Sequence, residues 1–131
     1  MKLKYLCLGF IVLGLLGCAT LHRDEPVDIF QQMQSYGKFS FDDVWSAALK
    51  SVGDVGFVVR KTTKNIGLIH AEAKANPDLR YLSPIMNVIV REEGGRIDVN
   101  FHIEFPGQKD DAGKRRTLAK RYFKSLKKNL K

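Results

Sequence analysis

Both cysteines of this 131-residue chain, Cys7 and Cys18, lie within its first eighteen positions. Cys18 closes the run Leu15-Leu16-Gly17-Cys18, where aliphatic and small residues lead to a thiol. Small side chains let a peptidase hold the backbone extended, and a thiol just past the cut can be acylated. Cys7 falls inside the apolar run Leu6 to Leu16, so cleavage after Gly17 removes it. The mature chain then keeps a single cysteine, so it has neither a disulfide nor a catalytic thiol. A second set of chemistry-bearing residues alternates along two β-like segments: His70 with Glu72, and His102 with Asp98 and Glu104. Imidazole and carboxylate are zinc ligands, which makes His70 and His102 weak metal candidates. Polar alternation on a solvated strand face accounts for the same letters without a metal. A third set is basic: Lys120, Arg121, Lys124, Lys127 and Lys128, within a final stretch that holds nine Lys and Arg from Lys114 onward and no acid.

No glycine-rich phosphate loop, H-E-x-x-H, C-x-x-C or G-x-S-x-G motif occurs. No oriented nucleophile and base can be assembled, so the chain reads as a non-enzyme without a cofactor. The formal charge is +8, but it belongs to the ends. Lys2 and Lys4 precede the apolar run, and the last helix carries the rest. Between Cys18 and Gly113 the chain is mildly acidic, with 11 basic residues against 14 acids. Three readings of the basic end stand side by side. It solvates the outer side of a helix and favours the dipole at its C-terminus; it meets anionic lipid headgroups or lipopolysaccharide; or it docks an acidic protein or an anionic envelope polymer.

The elements that position these residues begin with Lys2 and Lys4 as a positive n-region and Leu6 to Leu16 as an apolar core of signal-peptide length. That run is too short for a comfortable span of a hydrocarbon layer ~30 Å thick. Together with Leu15-Leu16-Gly17-Cys18 this resembles the lipobox of bacterial lipoproteins. The resemblance implies a diacylglycerol on the Cys18 thiol, cleavage between Gly17 and Cys18, and an N-acyl chain such as palmitate on the new amine. Two or three acyl chains, at ~0.8 kcal/mol per buried CH₂, anchor stably. Ala19 resembles the class sent to the outer membrane of diderm bacteria. The implied address is the periplasmic face of that membrane, and export argues against nucleic acid as a partner.

Three segments follow: a signal peptide over 1–17, a lipidated N-terminus and tether over 18–38, and a single α+β domain over 39–131. The tether, with Pro26, Gln residues and Gly37, shows no sustained period, although a short helix over Val27 to Met33 is compatible with it. Ser40 with Asp43 predicts a capped helix start, with Phe39 and Val44 as a staple across it. Phe41, Val44, Trp45, Ala48, Leu49 and Val52 form one helical face, ended by Gly53 and Gly56. Strands are predicted over Phe57–Thr63, Leu68–Ala73, Ile85–Glu92 and Arg96–Phe105. In the last of these, Ile97, Val99, Phe101, Ile103 and Phe105 face inward. Loops are expected over Lys74–Pro84 and Pro106–Gly113, and a hairpin turn at Glu93-Gly94-Gly95. A final helix over Lys114–Leu130 presents Leu118, Ala119, Tyr122, Phe123, Leu126 and Leu130 on one side. The expected architecture is α-β-β-β-β-α, a two-layer sandwich of a four-stranded antiparallel sheet with two helices on one face.

The residues Val44, Trp45, Ala48, Leu49, Gly56, Phe57, Val59, Gly67, Leu68, Ile69, Ala71 and Glu72 resemble the helix-grip modules of BamC-type lipoproteins and of small uncharacterised lipoprotein families. BamC-type proteins carry two such modules and a long N-terminal segment; this chain has one module and a short tether, so a role in barrel assembly does not transfer. That resemblance brings no catalytic residues with it. The expectation is a membrane-anchored, non-enzymatic binding or adaptor module of the cell envelope. The alternative is a binder of a small ligand or metal, using the groove between the final helix and the sheet or the His70 and His102 face.

Overall fold

The computed structural model describes residues 30–74, 83–105 and 112–131. The signal segment, Gly17 and Cys18, the first part of the tether, and most of the two loops expected before and after the central hairpin lie outside the described residues. The elements run β1 (Phe30–Tyr36), α1 (Phe41–Asp54), β2 (Phe57–Thr63), a 3₁₀ turn (Lys64–Ile66), β3 (Leu68–Ala73), β4 (Ile85–Glu93), β5 (Arg96–Glu104) and α2 (Ala112–Asn129).

The sheet is antiparallel throughout and has five strands, in the order β1-β5-β4-β3-β2. The expected α+β class is present, but the strand count of four is corrected by β1. Phe30–Tyr36, read above as tether with a compatible helix, pairs residue for residue with β5 from Phe30 opposite Ile103 to Tyr36 opposite Ile97. Its apolar residues Phe30, Met33 and Tyr36 fall three apart, which imitates a helical step. In the strand they divide between faces: Phe30 and Tyr36 pack toward the core, while Met33 is 56 % exposed. The inward places between the two aromatics are taken by Gln32 and Gln34, which hides the two-residue period.

Helix α1 starts as the sequence dictates. Ser40 Oγ accepts from the Asp43 backbone N–H at 3.2 Å, and the Asp43 carboxylate accepts from the Ser40 backbone N–H at 3.2 Å, a reciprocal capping box. Phe39 remains 39 % exposed beside it. The aromatic pair on this helix is Phe41 stacked on Trp45, with ring centroids 6.0 Å apart. Val44, Trp45, Ala48 and Val52 are buried, together with Ala47 and Ser51. Gly94 and Gly95 both have positive φ, +58° and +76°. A two-residue hairpin whose twist matches its strands requires that conformation at both positions.

The core lies between one sheet face and the two helices. Met86, Val88 and Val90 of β4, Ile97, Val99, Phe101 and Ile103 of β5, and Ile69 and Ala71 of β3 supply the sheet side. α1 crosses from the β1 edge to the β2 edge and packs over β2 and β4, while α2 lies along α1 and over β1. Phe101, Tyr122 and Phe123 meet in mutual ring contacts with centroids 5.1 to 6.2 Å apart. Burial of such a cluster is worth more than its area alone, because edge-on and tilted rings attract. Burial also raises the Tyr122 hydroxyl far above an ordinary phenol, and that hydroxyl donates to the Ala48 carbonyl across the helix pair at 3.4 Å.

Candidate functional site

The basic side of α2 follows from its periodicity. Ala119, Tyr122, Phe123, Leu126 and Leu130 are buried and Leu118 is half-buried. Positions between them must face away, and Lys120, Arg121, Lys124, Lys127 and Lys128 are all exposed. Arg115 departs from this pattern. It is 3 % exposed, with its guanidinium carbon 5.7 Å from the centroid of the Phe105 ring, so it belongs to the core margin and not to the basic surface. Ion pairs among the described residues join Arg60 to Glu72 at 3.0 Å and Lys64 to Asp42 at 2.8 Å; neither involves α2.

One carboxylate is set into the edge of the basic side. Asp54, the last residue of α1, accepts from Ser125 Oγ at 2.6 Å and from Asn129 Nδ2 at 2.9 Å. Asn129 also donates to Ser51 Oγ at 3.1 Å, and Ser51 donates to the Ala47 carbonyl at 2.7 Å. This chain of hydrogen bonds ties the end of α2 to the end of α1. The Ser125 and Asn129 donors hold the Asp54 carboxyl below the usual carboxylate range, and Lys50 and Lys128 lower it further. Around it lies an open concavity of about 810 Å³, lined by Lys50, Asp54, Arg121, Lys124, Lys127 and Lys128. With Lys131, which also lines it, six basic side chains against one acidic side chain make this hollow suited to anions. The sequence placed the cations, but not the Asp54–Ser125–Asn129 link. Asp54 lies 71 and 75 positions from its two donors, so only tertiary packing brings them together.

On the open face of the sheet, residues line up across strands. Lys61, His70, Asn87, His102 and Gln31 form one row, since His70 pairs with Lys61 and Asn87, and His102 with Asn87 and Gln31. The two histidines are not neighbours. β4 runs between their strands, which separates them by two ladder spacings, roughly 9.5 Å. Asn87 fills the gap, with its Oδ1 2.8 Å from His70 Nδ1. Glu72 pairs instead with Arg60, and Asp98 accepts from Ser35 Oγ. Among the described residues no group of three or more His, Cys, Asp or Glu is placed to hold a metal ion.

A groove of about 530 Å³ runs between α2 and the sheet. Phe57, Pro84, Phe105 and Leu118 give it apolar walls, and Lys114 and Arg121 stand on its α2 side. No helix among the described residues is long and apolar enough to cross a membrane.

No protein-family model matches the chain, and no curated protein matches it. Solved structures similar in shape include the following two. The crystal structure of Ara h 8.0201 has a TM-score of 0.42 at 8 % identity, over 78 % of this chain and 96 % of that one. That of TTHA0849 from Thermus thermophilus has a TM-score of 0.39 at 12 % identity, over 78 % of this chain and 93 % of that one.

Proposed function

We propose that this chain is a lipid-anchored protein of the cell envelope, held by Cys18 at the periplasmic face of the outer membrane, whose α+β domain works as a non-enzymatic adaptor. The observation that carries the adaptor reading is the exposed side of α2. Lys120, Arg121, Lys124, Lys127 and Lys128 share one surface, and the opposite side of the same helix seals the core. Such a surface recruits an acidic partner protein without any movement of the fold, because its side chains are already presented. Complementary charge steers such a partner to the surface, so reversing three of the cations removes the attraction and adds repulsion.

The test is photo-crosslinking in cells from a light-activated residue at position 124 of the full chain. A discrete protein adduct is expected. It should vanish when Lys120→Glu, Lys127→Glu and Lys128→Glu are combined, with the far-UV circular dichroism unchanged. An adduct that survives charge reversal would mean that the basic side does not recruit. Adducts to lipid alone, or none, would favour the second reading, a small-ligand binder. That reading is supported by the 530 Å³ groove walled by Phe57, Phe105 and Leu118.

A further inference from the structure

The two edges of the sheet are built differently. β2 carries the devices that keep an exposed edge from pairing. Its register shifts between Val59 and Lys61, which makes Arg60 the extra residue of a bulge, and Arg60 and Lys61 are exposed charges. β1 carries none of them. Its seven residues, Phe-Gln-Gln-Met-Gln-Ser-Tyr, include no charge and no proline, and their register against β5 is unbroken. Among the described residues only β5 pairs with β1, on one side. Gln31, Met33, Gln34 and Ser35 are exposed. In a chain of formal charge +8, an uncharged strip at a sheet edge is a place where two copies approach without like charges opposed.

The strip is also nearly symmetric about its middle residue. Read outward from Met33, Gln32 is matched by Gln34, Gln31 by Ser35, and Phe30 by Tyr36. Antiparallel pairing of β1 with a second β1, with the two-fold axis at Met33, sets those matched residues opposite one another. Each pair then shares a face. Phe30 opposite Tyr36 and Gln32 opposite Gln34 lie on the helix-covered side, and Gln31 opposite Ser35 lies on the open side. Aromatic pairs are favourable cross-strand partners, amide side chains both donate and accept hydrogen bonds, and a methionine meets its own image with no charge opposed. A two-fold interface demands this kind of self-complementarity.

We infer that β1 is a homodimer edge: two copies of this chain join through antiparallel β1 strands centred on Met33, which makes one continuous ten-stranded sheet. The occupant of the edge is a second copy because every residue of the strip finds a compatible match in its own image. This inference does not rest on the adaptor reading.

The test is disulfide trapping in cells with the full chain. Trypsin releases residues 24–38 as one peptide, which contains neither Cys7 nor Cys18, so the native thiols do not enter the readout. Met33→Cys should give this peptide linked to its copy after mild oxidation. Co-expressed Gln31→Cys and Ser35→Cys chains should give the mixed linked peptide, and either variant alone should not. Thr62→Cys, on the opposite edge, should give no linked product. Met33→Glu puts two like charges opposite each other without adding a tryptic site, so introducing it into the Gln31→Cys and Ser35→Cys pair should abolish the mixed peptide. No linked peptide from Met33→Cys would overturn the inference. So would equal trapping from Thr62→Cys, or a mixed peptide that persists with Met33→Glu.

Discussion

A Cβ atom added at Gly67 would lie 1.8 Å from the Val90 carbonyl oxygen and 2.9 Å from its carbonyl carbon. The approach is close because the Gly67 carbonyl accepts from the Val90 N–H at 2.8 Å, so the turn before β3 is hydrogen-bonded to β4. Its φ of +66° adds a second reason for glycine. Strain and a clash with main chain act together, so Gly67→Ala should destabilise by about 3 kcal/mol or more in denaturant unfolding. A loss under about 1 kcal/mol would mean that the turn can shift away from β4 at little cost. Asp54 gives a prediction in pH. Its carboxyl is held below the usual range by Ser125, then Asn129, then Lys50 and Lys128. A folded-state value below the unfolded one means the stabilisation is present above about pH 4 and is lost as pH falls through the folded value. Thermal midpoints recorded from pH 7 down to pH 2 should therefore fall less steeply below pH 4 for Asp54→Asn than for the parent. Parallel curves would remove Asp54 from the link between the helices. The two phenols set the opposite limit. Burial pushes Tyr36 up to about 12 and Tyr122 higher, so stability declines as pH rises above the ordinary phenol value near 10.

Among the elements, α1 was the most legible, because its start depends on residues close in sequence. Ser40 and Asp43 cap each other with no help from the rest of the fold. Ser40→Ala should cost about 1 kcal/mol in chemical unfolding, and an unchanged midpoint would show that Asp43 and the helix dipole suffice. β5 was legible for a different reason: strict alternation of Ile, Val and Phe with polar residues has no helical reading, and β4 repeats its buried Met86, Val88 and Val90 at the same two-residue step. β1 was not legible. A strand at a sheet edge buries one face only in part, and here glutamines take two of the four inward positions. The pairing that defines it comes from β5, more than sixty residues away. The spacing of His70 and His102 was illegible for the same kind of reason. Which strand faces which was invisible in the chain, and β4 carries Asn87 between His70 and His102. α2 shows both sides of this limit. Its steps of three and four placed Lys120, Lys124 and Lys127 on the outer surface, whereas the burial of Arg115 against Phe105 depends on where β5 ends.

For the molecule as a whole, the sheet divides labour between its faces. One face and two helices make the core, while the other stays half-exposed and mixes polar residues with Leu68, Ile85 and Ile89. α2 carries the charge on its outer side and also ties the sandwich together through Tyr122, Leu126 and Asn129. The central claim is that this domain works at a membrane to which Cys18 ties it. The most direct test is palmitate labelling of the full chain in a diderm bacterium, followed by separation of membrane and soluble fractions. The parent should incorporate label and sediment with the outer membrane. Cys18→Ala should take up none and should fail to be processed or leave that fraction. Label that persists in Cys18→Ala, or a parent chain that stays unlabelled and soluble, would contradict the anchored account.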